Sequence, residues 1–398
     1  MTEKTRKTPW GLMVLLGAMT ALGPLAIDMY LPSLPTMGAE LHASSAQTQA
    51  TVATFLAGMA IGQLFYGPAS DRFGRKPPIL LGLAIYVVAG VGCALAVSAP
   101  VLIGLRFLQA LGACAGAVVS RAIVRDRFDH ADTARMLSLM TLIMGLAPIF
   151  APLIGGVLLT LSGWRSIFGF MTVVGALVGA AVLLRLTESR SADTAAQARS
   201  EHPVRAYLSL LSNRRLVGYA LAAALNGATL FAYVSSSADL LIGVYHIPPA
   251  AFGWVFGLNA VAVIGASQLN RRLLRNFTPD HVLERAAYLG VAAAALLVVA
   301  ALSGAGGRWS VLPMLFMVLA SYGLMQGNTM AGALNLDPRR AGSISALMGA
   351  CSFATGAGAA AVVGLLHDGT ARPMALVILA AMSGSALMLR TLALPKKS

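Results

Sequence analysis

Charge is what this sequence has least of. Aspartate and glutamate together number 15 in 398 residues, and charged residues of both signs make up 11% of the chain, against about a quarter in an ordinary soluble domain. Hydrophobic residues reach 57%, more than a water-soluble core and surface can absorb. Cysteine is scarce too: Cys93, Cys114 and Cys351 are the three present. All sit inside apolar stretches, so they read as small buried residues, with no disulfide framework and no thiolate metal spacing. The six histidines, His42, His130, His202, His246, His281 and His367, are scattered through loops and segment ends. No metal-ligand cluster is visible, which argues against a membrane metalloenzyme; no metal and no cofactor is expected. Ten-residue alternating segments of the kind that build membrane β-barrels are missing as well, and so is any repeated ring of selectivity groups that would suggest a channel.

What is present in quantity is the long apolar run. A bilayer core of about 30 Å needs about 20 apolar residues per helix, and twelve such segments can be cut from the chain: 10–33, 46–68, 77–98, 100–122, 134–161, 164–186, 214–241, 250–270, 281–303, 309–331, 341–366 and 371–393. The expected fold class is therefore an all-α membrane protein with twelve transmembrane helices. Basic residues set its orientation. With the N-terminus in the cytoplasm, 25 lysines and arginines fall on the inner side, among them Lys4, Arg6, Lys7, Arg199, Arg205, Lys396 and Lys397. Arg165, Arg308 and Arg372 fall outside and Arg106 falls within a span. The positive-inside rule then puts both termini in the cytoplasm. The formal charge of +14 belongs to these loops and to anionic lipid, not to nucleic acid, which would call for one continuous basic face. The basic start followed by an apolar run looks like a secretory signal, but no small-residue cleavage pattern follows, so span 1 is expected to be retained.

The longest polar stretch, 187–213, separates six spans from six. Its "ESRSADTAAQARSEHPVR" is charged, and "AYLSLLS" could lie as a short amphipathic helix on the membrane surface. The organisation is thus an N-terminal six-helix half (1–186), a cytoplasmic linker (187–213) and a C-terminal six-helix half (214–398), a pattern of repeats with a site between them.

Between spans 2 and 3 stands "GPASDRFGRKP", residues 67–77. Gly67 and Gly74 permit a tight turn and Pro77 suits the start of span 3. Asp71 can face a helix N-terminus while Arg72, Arg75 and Lys76 stay among headgroups or pair with acids. On spacing alone a plain basic loop explains it equally well. Taken with its neighbours it is more specific. G-x-x-[SA]-D-R-x-G-R-[KR]-P after the second of twelve spans resembles the signature of the major facilitator superfamily. "LIGLRFLQALGA" (102–113) is similar to that family's R-x-x-Q-G motif, with Ala110 where glycine is usual, and "GLAPIFAPLIGG" (145–156) looks like the span-5 motif of its drug:proton antiporters. "AIDMYLPSLP", "RAIVRD" and "FGLNAVAVIGASQLNRRLL" (256–274) together resemble the Bcr/CflA branch, the bicyclomycin and chloramphenicol resistance type. The resemblance covers nearly the whole chain. One departure lies at the end of span 7, where that branch often carries Ser-x-x-Pro and this chain has "SSSADLL". Asp239 there either tilts preference toward cations or is a solvated rim residue.

Asp28, near the far end of span 1, is the acid that most needs a role, because an ionised group in lipid is costly. Arg106 lies six residues into span 4, about 9 Å at 1.5 Å per residue, at a similar depth. An opposed pair in a water-filled cavity is one expectation, and a static ion pair locking two helices is the other. Burial favours the neutral carboxyl and a nearby guanidinium the ionised one, so hydration during turnover could tip the balance. The resemblance implies that this group couples drug export to proton entry by alternating access; the residues alone supply only the titratable group.

The remaining candidates follow from the fold that the resemblance implies, in which spans 1, 4, 7 and 10 line the centre. Tyr30, Asn226, Phe231, Tyr233 and Gln326, with Asn259 of span 8, are candidate substrate-cavity residues, and the mainly apolar surroundings favour small amphipathic drug-like substrates. Gly145, Pro148, Pro152, Gly155 and Gly156 would bend span 5 and let a C-terminal-half helix approach closely; the family implies that this seam blocks proton leak. Gly67, Asp71, Arg72, Gly74, Arg75 and Asp126 would form a gating network reaching the start of span 11. The expected partners are drug-like substrates, protons and membrane lipid; the expected setting is the bacterial inner membrane, with the carrier working as a monomer. The alternative is a proton-coupled carrier of a small metabolite with the same fold.

Overall fold

A computed structural model describes residues 10–128, 130–192, 194–196 and 203–394. The expectations on Lys4, Arg6, Lys7, Arg199, His202, Lys396 and Lys397 lie outside the described residues, as does the side chain of Arg205.

Twelve helices among the described residues are long and apolar enough to cross a membrane. In chain order, helix 1 runs Trp10–Asp28, helix 2 Ser45–Phe73, helix 3 Lys76–Ala94, helix 4 Ala99–Arg127, helix 5 His130–Ser162 and helix 6 Trp164–Arg185. After a linker helix, Pro203–Leu211, come helix 7 Arg214–Ala238, helix 8 Pro249–Leu273, helix 9 Pro279–Ser303, helix 10 Arg308–Leu336, helix 11 Ala341–Leu365 and helix 12 Arg372–Met388. No strand occurs among them. Large apolar side chains such as Val88, Phe150, Trp254 and Val299 are exposed around the outside. In water that much contiguous apolar surface would be a liability; in hydrocarbon it is the required exterior.

Several helices run about a turn further than the apolar runs indicate. Helix 2 continues past residue 68 to Phe73, and helix 4 past 122 to Arg127. Charged residues end an apolar run where the hydrocarbon ends, but a helix can continue through the headgroups with its backbone still bonded. Gly67 is consequently inside helix 2, not in the turn, and a side chain there would meet nothing within 4 Å. Gly74 is the turn residue, with φ +100°, a conformation that glycine adopts at little cost.

Small residues set the helix spacing, as packing in lipid demands. A Cβ on Gly58 would stand 2.5 Å from the Phe107 carbonyl oxygen, and one on Gly62 would strike Cys114, so helices 2 and 4 touch almost backbone to backbone. Two seams join the halves: helix 2 packs along helix 11, and helix 5 along helix 8. Helix 1 lies against helices 4 and 5. Twelve crossings bring Trp10 and Leu394, the first and last described residues, to one face, called here the terminal face.

Candidate functional site

Helix 1 ends at Asp28 because Pro32 and Pro35 cannot continue it; a 3₁₀ turn, Leu31–Ser33, and a short helix, Leu34–Glu40, follow. Asp28 is 5% exposed, and no hydrogen bond or ion pair to its carboxylate occurs among the described residues. Its electrostatic neighbour is Tyr233 of helix 7, in the other half.

Arg106 does not pair with it. The guanidinium is fully buried, with Nη1 donating to Gln109 Oε1 at 2.6 Å and Nη2 to the Ala26 carbonyl at 2.7 Å. Its carbon sits 4.2 Å from the ring centres of both Tyr30 and Phe55, with Phe168 at 5.7 Å. Both expectations for an Asp28–Arg106 pair are thus corrected. A helix end leaves carbonyls without helical partners, and Arg106 takes one of them; aromatic faces supply the rest of its negative surroundings. Tyr30 is occupied in the same way. Its hydroxyl lies 3.0 Å from Thr51 Oγ1 and its ring is fully buried under Arg106, so it packs inside the N-terminal half.

Across from Asp28, Asn259 donates to the Tyr233 hydroxyl at 2.8 Å, and Tyr233 stacks on Phe256 with centroids 5.5 Å apart. Asn226 is buried, with its Nδ2 3.4 Å from the Tyr322 carbonyl and its Oδ1 unpartnered. Gln326 is half-buried on helix 10. Phe231 departs from the set: it packs on Phe353 and Gly356 of helix 11, inside its own half.

Pro148 and Pro152 lie within helix 5. A Cβ on Gly145 would be 3.6 Å from Ile264, and one on Gly156 3.4 Å from the Pro249 carbonyl, both on helix 8. Gly155 faces the other way and abuts the backbone of Met29, immediately after Asp28. Helix 5 therefore touches the opposite half through Gly145 and Gly156 and the break in helix 1 through Gly155.

At the terminal face, Arg75 forms the hub of the loop network. It pairs with Asp71 four residues before it and, at 2.7 Å, with Asp126 of helix 4, and Nη1 donates to Ser70. Arg72 takes no part through its side chain, which is exposed beside Phe73. The contact with the start of helix 11 comes from Arg125, which lies against Gly342, and not from Asp71.

Sequence reading missed the other half of this network. Glu188, just after helix 6, accepts from the backbone N–H groups of Arg75 and Lys76, where helix 3 begins. A Cβ on Gly74 would stand 2.6 Å from that carboxylate, so a side chain there would displace the end of Glu188, while φ is what calls for glycine. Burial works against the charge of Glu188, but backbone donors from Arg75, Arg190, Lys76 and Ser189 outweigh it and hold the carboxyl below the usual carboxylate range. Ser189 reaches Asp126, and Arg190 donates to the carbonyls of Asp71 and Arg72. The available signal was an acid following span 6, opposite a helix N-terminus with no cap of its own.

The model of the Major Facilitator Superfamily matches residues 16–361. This chain belongs to the major facilitator superfamily. The superfamily relatives include a bicyclomycin resistance protein homolog of Haemophilus influenzae, 33% identical over 93% of this chain and 92% of that protein. An MFS-type transporter of Bacillus subtilis, YdgK, is 34% identical over 96% and 95%, and the multidrug resistance protein MdtL of Escherichia coli 32% identical over 87% and 88%. Among solved structures, a D-xylose–proton symporter superposes with a TM-score of 0.74 at 14% identity, covering 97% and 98% of the two chains. A bacterial homolog of the human lysosomal transporter Spinster, inward-facing and unoccupied, gives 0.74 at 16% identity over 96% and 95%. The facilitator fold is shared with both, and the protein is a multi-pass membrane transporter, not an enzyme.

Proposed function

We propose that this facilitator exports small amphipathic drug-like molecules from a bacterial cytoplasm in exchange for protons, with Asp28 as the group that carries the proton. The terminal face is then cytoplasmic, and the membrane is the inner one. The observation that carries this reading is a buried carboxylate at a helix break, without a counter-charge among the described residues and within electrostatic reach of Tyr233 of the other half, which Asn259 holds by its hydroxyl. An intramembrane acid so placed is a functional site by default. A proton taken from outside neutralises Asp28 and permits the return to the inward-facing state; its loss inside readies the site for drug. Relatives named for bicyclomycin and multidrug resistance support the substrate class. Arg106 serves by fixing the helix 1 break through Ala26 and Tyr30, and the Asp71–Arg75–Asp126 network serves as the cytoplasmic latch.

Everted vesicles test this. Adding drug to energised vesicles should release protons from the lumen, and Asp28→Asn, which keeps the volume and removes the proton site, should abolish that release and resistance together. Proton-driven export of a neutral drug by the Asn variant would place the coupling elsewhere; proton movement in the same direction as substrate would favour the metabolite symporter.

A further inference from the structure

At the face opposite the termini, helix 7 ends in a π-helical turn, Asp239–Val244. Such turns shift the register of the side chains that follow and are frequent at functional sites. Asp239 at its start is paired: its Oδ2 lies 2.5 Å from Nε2 of His367, just beyond helix 11. The side chains are 31% and 25% exposed, partly wet and partly enclosed. They stand on the wall of a narrow cleft, with room for about one water, shared with Ser236, Thr370 and, from the N-terminal half, Gln49. Gln49 is 1% exposed, and neither its amide nitrogen nor its oxygen has a hydrogen-bond partner. It sits where helix 2 touches helix 11, its side chain against Gly364. The contact between helices 7 and 11 thus closes beside the residue that the opposite half inserts.

We infer that Asp239 and His367 form a second proton-binding site, separate from Asp28, which ties the outer ends of helices 7 and 11 together and so holds in place the surface on which Gln49 of the opposite half is seated. The charged form of the pair needs an ionised carboxylate and a protonated imidazole. Its attraction is lost when the imidazole gives up its proton. A proton arriving from outside therefore favours closure, the step that must follow drug release in an exporter; only this placing in the cycle rests on the export reading above. Other charges nearby are engaged or remote. Helix 2 offers no charged group along Ser45–Gln63. The turn before helix 12 carries Asp368, bonded to Thr370 and facing Arg372. The short helix Leu34–Glu40 brings Glu40, which pairs with Arg165 and Trp164, and His246 beyond the π turn is exposed.

The test measures the outer rim directly. Cys93, Cys114 and Cys351 are replaced by alanine, spin labels are attached at Ser45→Cys and Leu366→Cys, and the distance between helices 2 and 11 is recorded in reconstituted protein at about pH 5 and about pH 8. The population with the short rim distance should be larger at the acid pH. His367→Gln and Asp239→Asn, each changing a partly exposed side chain, should leave it the same at both pH values. An unchanging rim in the parent protein, or a pH response retained by either variant, overturns the proposal. No drug and no coupling enter this measurement, so its failure is distinct from failure of the Asp28 reading, which vesicle proton release decides.

Discussion

The two charged regions of the N-terminal half solve opposite problems. At the terminal face, Arg75 is held by two carboxylates, and Glu188 is held by backbone N–H groups. Within the membrane, Arg106 is held by an amide, a carbonyl and aromatic faces, and Asp28 is left without an ion-pair partner among the described residues. Pairing a charge makes it structural; leaving one unpaired keeps it titratable. A carboxylate locked to Arg106 would be slow to accept a proton, whereas one facing Tyr233 needs only water to reach it. The fold thus spends acids on the latch and withholds one from the guanidinium beside it.

Removing Arg106 should produce the largest structural effect. Arg106→Ala empties a fully enclosed site ringed by Tyr30, Phe55 and Phe168 and strips a donor from Ala26; losses of this kind cost about 2–5 kcal/mol, seen as a lowered Tm in detergent. Because no ion pair with Asp28 is broken, raising the pH should not restore transport. Recovery at alkaline pH would mean that the two groups are paired during turnover.

Gly155 connects the regions, since its neighbour is the helix 1 break. Gly155→Ala pushes a methyl into the Met29 backbone and should destabilise by about 1–3 kcal/mol, the usual range for overpacking. Gly145→Ala meets only ordinary contact with Ile264 and should stay within about 0.5 kcal/mol. Equal Tm values for the two would show that helix 1 yields freely there.

In the latch, Arg75→Gln leaves Asp71 and Asp126 facing each other without their shared cation. Drug binding in detergent should be unchanged, while transport slows roughly tenfold, equivalent to about 1.4 kcal/mol on the barrier. Abolished binding with normal expression would place the loop nearer the cavity than the structure does. The smallest effect belongs to Glu188. Its lowered titration contributes stability above the unfolded carboxylate range, about pH 4.3, and that contribution is lost as pH falls through its folded value. Glu188→Gln should therefore flatten the acid limb of the Tm profile below about pH 4.5 by lowering the Tm slightly at neutral pH and leaving it little changed in acid.

How much of this could be read in advance differs by region for physical reasons. The twelve crossings were legible because hydrocarbon selects against charge over each run of about 20 residues; their ends were not, since helices 2 and 4 carry their last turn into the headgroups. Asp71–Arg75 was legible as a four-residue spacing, and Asp126 as an acid at the matching end of helix 4. The Asp28–Arg106 pair failed because rise per residue gives depth and not azimuth, so two charges on one level can face different neighbours. Glu188 and His367 act across 113 and 128 residues of chain, a separation at which spacing carries no signal.

The isolation of Arg106 has an electrical consequence. A guanidinium stays protonated throughout, so the centre of the N-terminal half carries a net positive charge when Asp28 holds its proton and none when it does not. Under the proposed cycle, with a neutral drug, the membrane voltage acts on the returning leg alone. Each charge displaced through the full field is worth about 2.3 kcal/mol per 100 mV, and an inside-negative potential draws the proton-loaded carrier inward. Export of a neutral drug should then generate current and speed up with voltage, while a monovalent cationic drug, which cancels one charge against the other, should be exported without either.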